Sequence, residues 1–281
     1  MADVFQLRQQ FQQLHESGCF VIPNPWDPGS ARYLRHLGFK AVATTSAGFA
    51  FSRGLPDADW AVPRDSALAH ISDIVAAVDL PVNADFESGY AHDPDGVARN
   101  VRLCLETGVS GLSIEDATGD RTSPLYDLPL AVERIRAARA AIDASQTGAL
   151  LTARTECFLV GHPNPFRESL TRLEAYAQAG ADVLFTPGVS DETDIKTLVA
   201  TLSPKPVNVL VSSNTGFTVS ALAGLGVRRI SVGSSLSRVA WHGFMQAAMA
   251  IAKDGSFSGF DGVVSWSELN GFFRDDLNDR V

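Results

Sequence analysis

The chain has 281 residues, of which 45% are hydrophobic and 20% charged, close to the averages of globular proteins. This composition excludes a collagen-like protein and a largely disordered one. The 32 acidic and 23 basic residues give a formal net charge of −9 without any run of Lys or Arg, so we expect no nucleic-acid partner. An anionic substrate is not excluded, because a bound cation can invert the charge of a local site.

Cysteine usage and hydropathy bear on the cellular location. The three cysteines, Cys19, Cys104 and Cys157, are irregularly spaced, which argues against a disulfide framework and against a structural zinc site. Residues 1–16 have the periodicity of a polar helix and lack the apolar core of a secretory signal. No run of 18 apolar residues occurs, so we predict no transmembrane helix, no membrane partner and a cytoplasmic location.

Short apolar segments alternate along the chain with longer segments of helical periodicity. The apolar segments contain few polar residues, as strands do when both of their faces are buried in a parallel sheet. Strands are predicted at residues 19–23, 41–46, 82–86, 111–115, 150–155, 182–186, 206–211 and 229–233. Helices are predicted after them, at residues 29–37, 64–77, 94–106, 129–143, 165–179, 191–202, 218–225 and 237–253. Eight such units are the number in a (β/α)₈ TIM-type barrel.

A repeated glycine supports this interpretation. It follows a predicted helix and precedes every second strand, where glycine suits the left-handed position after a helix. These residues are Gly38, Gly108, Gly180 and Gly226. A doubly wound open sheet remains the alternative. Two irregular loops, at residues 48–63 and 117–128, follow strands and are expected on the catalytic face of a barrel.

The last segment of the chain is assigned separately. We assign residues 1–255 to the barrel as its catalytic domain and residues 256–281 to a C-terminal tail. The tail is rich in Gly and aromatic residues, and so much apolar area has to be buried somewhere. We therefore expect the tail to pack on a neighbouring subunit and the protein to be a homo-oligomer.

Carboxylates cluster where the third and fourth predicted strands end. Asp85 and Glu87 are two residues apart, and Glu115 and Asp116 end the next strand. Side chains at these ends form the active site of a barrel, where several carboxylates would repel one another without a cation. Oxygen ligands without His or Cys suit Mg²⁺ or Mn²⁺. The alternative is that each carboxylate caps a helix or pairs with an arginine.

Other strand ends carry candidates for substrate binding. Arg154 ends the fifth strand, where it is placed to bind a carboxylate, although a structural pair with one of the acids is the alternative. Small residues at Thr44–Gly48 would leave backbone N–H groups free for an oxyanion. Trp26 follows the first strand and would form a wall of the pocket, and Asn208 lies in the seventh strand. No P-loop, no G-x-G-x-x-G and no Ser-His-Asp elbow is present.

Together these strand ends resemble the isocitrate lyase and phosphoenolpyruvate mutase superfamily. The most specific match is Asn83–Tyr90, which looks like the family's D-x-D-x-G-Y metal strand with Glu87 in place of the second Asp. The segments Asn24–Ala31, Thr44–Gly48, Arg53–Asp57, Ser113–Asp116 and Ala153–Thr155 also match. The resemblance implies a (β/α)₈ barrel, commonly a tetramer that exchanges its terminal helix between subunits.

The resemblance also implies the chemistry and its residues. Family members use Mg²⁺ to make or break C–C or C–P bonds next to a 2-oxo acid, through a pyruvate-enolate-like intermediate. The implied metal site comprises Asp85, Glu87, Glu115 and Asp57, the last through the metal's waters. The implied catalytic residues are Arg154, Glu115 and Ser46. The residues implied in binding a 2-oxo or 2-hydroxy carboxylate are Ser46, Ala47, Gly48, Trp26, Asp85, Arg154 and Asn208.

One departure from the family narrows the prediction. Isocitrate and methylisocitrate lyases carry a K-K-C-G-H loop after the fourth strand, whereas residues 117–126 contain no Cys, Lys or His. Oxaloacetate decarboxylation needs no protein acid on the leaving group and is the leading prediction. The alternatives are C–P chemistry on phosphonopyruvate or carboxyphosphonoenolpyruvate, and a non-catalytic barrel that binds 2-oxo acids. The residues expected to tune specificity are Asp120, Arg121, Thr122, Ser123 and Tyr126.

Overall fold

The computed structural model describes residues 3–58 and 60–280. Contacts divide the chain into a first unit that ends at Ser235 and a second unit that begins at Leu236. The boundary expected at residue 255 lies inside the second unit. None of the helices in the described ranges has the length and hydropathy that crossing a bilayer requires.

The first unit is a barrel of alternating strands and helices. Its strands are β1 Phe20–Ile22, β2 Val42–Ala43, β3 Val82–Asp85, β4 Gly111–Glu115, β5 Leu150–Arg154, β6 Val183–Phe185, β7 Val207–Leu210 and β8 Arg229–Ser231. Its helices are α1 Val4–Glu16, α2 Pro28–His36, α3 Ser46–Ser52, α4 Arg64–Ala77, α5 Pro94–Glu106, α6 Leu128–Ser145, α7 Pro165–Gln178, α8 Glu192–Leu202 and α9 Val219–Gly224.

The eight strands are parallel and close into a ring. Adjacent strands pair in sequence order from β2 to β8, and β8 pairs with β1. At the remaining seam, Ala43 N donates to Pro23 O at 3.0 Å and Asn24 Nδ2 donates to Thr44 O at 3.0 Å. The predicted (β/α)₈ barrel is therefore confirmed, and the open-sheet alternative is wrong.

The helices cover the outside of this ring through a continuous apolar core. Leu112 and Leu151 are register partners in β4 and β5 and are fully buried in the main core cluster. Side-chain caps begin several helices directly after the connecting loops and satisfy their free N–H groups. The capping residues include Asp27, Asp93, Asp127, Asp191 and Thr218.

The structure corrects the sequence prediction after the second strand. The strand predicted to run to Ser46 ends at Ala43, and the loop predicted as irregular at residues 48–63 begins inside helix α3. Thr45 caps this helix, because its Oγ1 accepts a hydrogen bond from Gly48 N at 3.2 Å. The cap converts a strand end into a helix start, which the short apolar segment of α3 does not reveal by periodicity.

The second unit consists of two helices joined by a short connection. Helix α10 spans Ser235–Asp254, a 3₁₀ turn follows at Ser258–Phe260, and α11 spans Trp266–Asn278. Large apolar side chains are exposed on both helices, including Phe244 at 61% and Trp266 at 79%. So much exposed apolar surface is unusual for a monomer.

Candidate active site

Two adjoining cavities open at the carboxyl ends of the strands. The inner cavity, of about 190 Å³, lies within the barrel, and the outer cavity, of about 740 Å³, lies between the loops above it. Ser46, Asp57, Arg154 and Leu159 line both cavities. Three of the predicted site residues, Ser46, Asp57 and Arg154, therefore lie where the two cavities join.

Asp85 is one of two carboxylates that line the inner cavity, the other being Asp57. Its Oδ2 accepts hydrogen bonds from Ser46 N at 2.9 Å and from Ser46 Oγ at 3.0 Å. Its Oδ1 is buried and accepts no hydrogen bond from the described residues. The cation beside that oxygen is Arg154, whose Nη1 lies 3.5 Å away. One oxygen of Asp85 is thus fixed, while the other remains available to a ligand.

Arg154 is surrounded by acids. Its Nη1 lies 3.3 Å from Glu115 Oε2 as well as near Asp85, and its Nε donates to Glu156 Oε1. Burial alone would lower the pKa of Arg154, but Glu156, Glu115 and Asp85 together raise it well above its ordinary value. The arginine is therefore a permanent cation, and the surrounding carboxylates outnumber it.

The remaining carboxylates of the site have raised pKa values, as expected for acids that are buried close together. Burial raises the pKa of Glu115 well above its ordinary value even though Arg154 opposes the effect. Burial also raises the pKa of Glu87 to about 7, and the charge of Asp85 contributes to this rise. The hydrogen bond that Tyr90 Oη donates to Glu87 at 2.9 Å acts in the opposite direction. Burial and Asp85 raise the pKa of Asp57 in the same direction. The site lacks positive charge, which a divalent cation would supply.

The donor set fits Mg²⁺ held largely through water. Within the described ranges, no three Asp, Glu, His or Cys side chains converge into a ready metal cluster. The free Oδ1 of Asp85 would provide one direct oxygen ligand. Mg²⁺ usually keeps several waters and takes one or two protein carboxylates. Glu87, Glu115 and Asp57 would then accept hydrogen bonds from those waters.

The backbone N–H groups at the start of α3 were expected to be free for an oxyanion, but two of them donate hydrogen bonds within the protein. Ser46 N donates to Asp85, and Gly48 N donates to the Thr45 cap. Ala47 N donates no hydrogen bond among the described residues, and Ala47 lines the inner cavity. One amide of the three, rather than the whole segment, is therefore available to an oxyanion.

Two further candidates lie apart from the carboxylates. Asn208 lines the inner cavity, where its Nδ2 donates to Ser231 Oγ at 2.9 Å and its Oδ1 accepts from Arg229 Nε at 2.9 Å. Trp26 is half-buried and lines neither cavity. Their roles in substrate binding stay predictions.

Asp116 follows Glu115 in sequence but belongs to a structural network. Its Oδ2 accepts from Tyr176 Oη at 2.6 Å, Thr155 Oγ1 at 2.8 Å and Arg172 Nη1 at 3.1 Å. Its Oδ1 accepts from Glu156 N at 2.9 Å. The alternative of a structural, arginine-paired carboxylate therefore describes Asp116, which pairs with Arg172 and lines neither cavity.

The structure adds residues that the sequence interpretation missed. Arg229 lines the inner cavity, and Trp60 and His92 line the outer one. The rings of Trp60 and His92 lie 4.8 Å apart, and His92 Nδ1 lies 2.7 Å from Tyr126 Oη. A carboxylate-rich motif identifies its own strand end, but no local pattern reveals side chains that reach the cavity from other loops.

The chain is similar to known proteins both in sequence and in fold. The family model described as phosphoenolpyruvate phosphomutase matches residues 11–252. An uncharacterized protein of Mycobacterium tuberculosis is 32% identical over 243 residues, covering 86% of this chain and 88% of the relative. Oxaloacetate decarboxylase 1 of Pseudomonas putida is 30% identical over 230 residues, covering 79% and 76%. A crystal structure from Burkholderia cenocepacia, described as a lyase/mutase, is 43% identical, with a TM-score of 0.91 and 96% of each chain covered.

Proposed function

The chain belongs to the phosphoenolpyruvate phosphomutase family, within a superfamily of Mg²⁺-dependent C–C lyases and mutases, and on this premise we propose that it decarboxylates oxaloacetate. More generally, it would break the C–C bond next to a small 2-oxo or 2-hydroxy carboxylate. The observation that carries the proposal is the free buried Oδ1 of Asp85 beside Arg154, in a cavity of a size that suits such an acid. Because its relatives are lyases and mutases, the chain is an enzyme. The alternative of a non-catalytic barrel that binds 2-oxo acids is therefore not retained.

Asp85 would bind Mg²⁺ directly, with Glu87, Glu115 and Asp57 acting through its waters. Mn²⁺ has the same preference for oxygen ligands. When bound there, the metal supplies a Lewis acid for the carboxylate and 2-oxo oxygens of the substrate. The two hydrogen bonds from Ser46 would hold Asp85 in the orientation that this requires.

The chain's own donors would stabilise the charge that develops on the substrate. Arg154 lies at the junction of the cavities, and the free amide of Ala47 lines the inner one. Donors fixed before the reaction stabilise an enolate-like oxygen without reorganisation, and such stabilisation accounts for much of the rate acceleration in many enzymes. Glu115 and Glu156 hold the guanidinium in place.

On the side lined by the loop after β4, the outer cavity supports loss of CO₂ rather than of a larger fragment that this loop would have to protonate. The loop that lines it presents Thr118, Gly119, Asp120 and Arg121. None of these side chains is a neutral acid suited to protonate a carbon leaving group near pH 7. CO₂ requires no such protonation, and water entering the outer cavity would return a proton to the remaining enolate.

C–P chemistry is the second candidate, and Arg121 favours it. This residue places a cation in the outer cavity, where it would face a phosphonyl group. The matching family model carries the name of such an enzyme. Loss of phosphonopyruvate turnover in Arg121→Ala, with the parent active, would support this candidate.

The decisive experiment is pyruvate release from oxaloacetate with Mg²⁺ and with EDTA, after subtraction of the reaction caused by the metal alone. We expect release that depends on both enzyme and Mg²⁺. Absence of pyruvate together with turnover of phosphonopyruvate would replace the first candidate by the second.

The assembly and location form part of the same proposal. The exposed apolar side chains of α10 and α11 would be buried against a second copy of the chain, as a dimer or a tetramer with the tail on a neighbouring subunit. The three cysteines are free, as is usual in a reducing cytoplasm.

A further inference from the structure

A buried arginine lines the inner cavity without a carboxylate partner. Arg229 begins β8, is 3% exposed, and forms no ion pair with any acid among the described residues. Burying a cation costs several kcal/mol in general unless nearby groups compensate for the lost water. Burial lowers the pKa of Arg229 to about 9, which leaves it charged at neutral pH.

The protein partners of Arg229 are all neutral. Its Nε donates to Asn208 Oδ1 at 2.9 Å and its Nη2 donates to Thr152 Oγ1 at 3.1 Å. Its Nη1 lies 3.4 Å from His15 Nε2. Burial and the charge of Arg229 lower the pKa of His15 to about 3, so this imidazole is neutral. A guanidinium has five N–H bonds, and these contacts use three of them.

Arg154, the other arginine that lines the inner cavity, differs because it has acidic partners. Arg154 is shared by Asp85, Glu115 and Glu156, so the acids already outweigh its charge. Arg172, outside the cavity, pairs with two acids as well. Within the inner cavity, Arg229 is thus the cation whose charge no described side chain neutralises.

The side chain of Arg229 contacts β5 at a level below Arg154. Consecutive register partners form a row across four strands, from Arg154 through Phe185 and Asn208 to Arg229. Arg229 then reaches across the barrel to Thr152, which precedes Arg154 by two residues on β5. Two residues of a strand span about 6.6 Å. The inner cavity therefore has a cation at its floor and another at its mouth.

We propose that Arg229 binds the carboxylate that the substrate retains, so that the 2-oxo acid stands in the barrel with this end toward the floor. This inference rests on the proposed function and adds the orientation of the substrate. A cation beside the departing carboxylate would stabilise the reactant and oppose loss of CO₂. A cation beside the retained carboxylate carries no such penalty, and it directs the bond that breaks toward the outer cavity.

The test measures the affinity for oxalate, a mimic of the retained half of the substrate, by titration calorimetry in saturating Mg²⁺. We expect Arg229→Met to raise the dissociation constant for oxalate at least tenfold. It should also raise KM for oxaloacetate by a larger factor than it lowers kcat. Methionine can replace a buried ion without loss of stability in favourable cases. Arg229→Gln, which keeps a hydrogen-bonding group, provides a second variant if Arg229→Met does not fold.

Arg228→Met is the matched control. This neighbouring arginine is only half-buried, donates to Gly18 O, and does not line the inner cavity. Its removal subtracts the same charge, and we expect less than a twofold change in oxalate affinity. An equal loss of oxalate affinity in both variants would show that the effect comes from net charge alone, and it would overturn the inference.

The outcomes separate this inference from the proposed function. Unchanged oxalate affinity in a folded Arg229 variant of an active enzyme would overturn the role of Arg229 alone. A wild-type enzyme that neither binds oxalate nor releases pyruvate would overturn the proposed function, and the inference with it.

Discussion

Ser46 donates two hydrogen bonds to one oxygen of Asp85, from its backbone N at 2.9 Å and from its Oγ at 3.0 Å. The first residue of α3 thereby orients the last residue of β3, although the two are 39 positions apart in sequence. This contact leaves Oδ1 of Asp85 buried and without a hydrogen bond from the described residues. The first prediction follows from that asymmetry.

Asp85→Ala should abolish Mg²⁺-dependent pyruvate release while the protein remains folded, because the carboxylate supports a ligand rather than the core. Ser46→Ala keeps the backbone hydrogen bond and should lower the activity only severalfold. Steady-state assays at several Mg²⁺ concentrations, with circular dichroism as the check on folding, measure both effects. Unchanged turnover in Asp85→Ala would remove the metal assignment.

Asp116→Ala, in contrast to Asp85→Ala, should mainly reduce the stability of the folded protein. Four hydrogen bonds from Tyr176, Thr155, Arg172 and the backbone of Glu156 meet on this buried carboxylate. Removing one partner of a buried ion pair costs about 3–5 kcal/mol in general. Urea unfolding should show a loss of that order. A variant of native stability would contradict the structural role that separates Asp116 from its neighbour in sequence.

Arg154→Ala should raise KM for oxaloacetate and lower kcat, because the arginine lines both cavities and counters three acids. Truncating a buried charged hydrogen bond costs about 2–5 kcal/mol in general. Arg172→Ala, which disturbs a buried arginine outside the cavities, is the control for stability. Native substrate affinity in a folded Arg154→Ala enzyme would exclude the role in substrate binding.

The stability of the metal-free protein should fall with rising pH because of Glu87. Burial, with a contribution from Asp85, raises the pKa of Glu87 from 4.5 to about 7. The protonated form is favoured in the folded state, so this stabilisation is complete below the unfolded pKa and is lost as pH rises through 7. The change amounts to about 3 kcal/mol at most.

Urea unfolding in EDTA between pH 4.5 and 8 measures this dependence. Glu87→Gln should flatten the profile, since glutamine does not titrate. Mg²⁺ should also flatten it, because a bound cation favours the ionised carboxylate. An identical slope for the parent and Glu87→Gln would show that other groups account for the pH dependence.

Assembly should depend on the apolar side chains of the second unit. Phe244→Glu in α10 and Trp266→Glu in α11 place charges on residues that are 61% and 79% exposed in the single chain. We expect sedimentation velocity to show smaller species for these variants than for the parent. Arg274→Glu, a charge reversal on the same helix α11, is the comparison for a change in charge alone. A monomeric parent would contradict the proposed interface.

Strand count and barrel closure could be predicted from the sequence because buried parallel strands produce uninterrupted apolar segments. The same logic identified Asp85 and Arg154, which end two of those strands. It failed at α3, where a seven-residue helix is determined by the Thr45 cap rather than by periodicity. Local cues of this kind are weak in a βα loop, where many turns contain small hydroxyl residues.

Other features depend on contacts that no local pattern encodes. Asp116 and Glu115 are adjacent, yet one serves a structural network and the other faces the cavity, because successive strand side chains point to opposite faces. Arg229 lies at the start of β8, where catalytic residues are not expected, and becomes relevant only because its side chain crosses the barrel to Thr152. Register and side-chain reach decide these cases.

The free amide at Ala47 has a consequence for changing the substrate range. A main-chain N–H is present whatever side chain the position carries, proline excepted. Position 47 could therefore be varied to larger or polar residues, reshaping the wall of the inner cavity, while the oxyanion contact persists. Directed diversification at this position would explore new substrates without dismantling the catalytic apparatus.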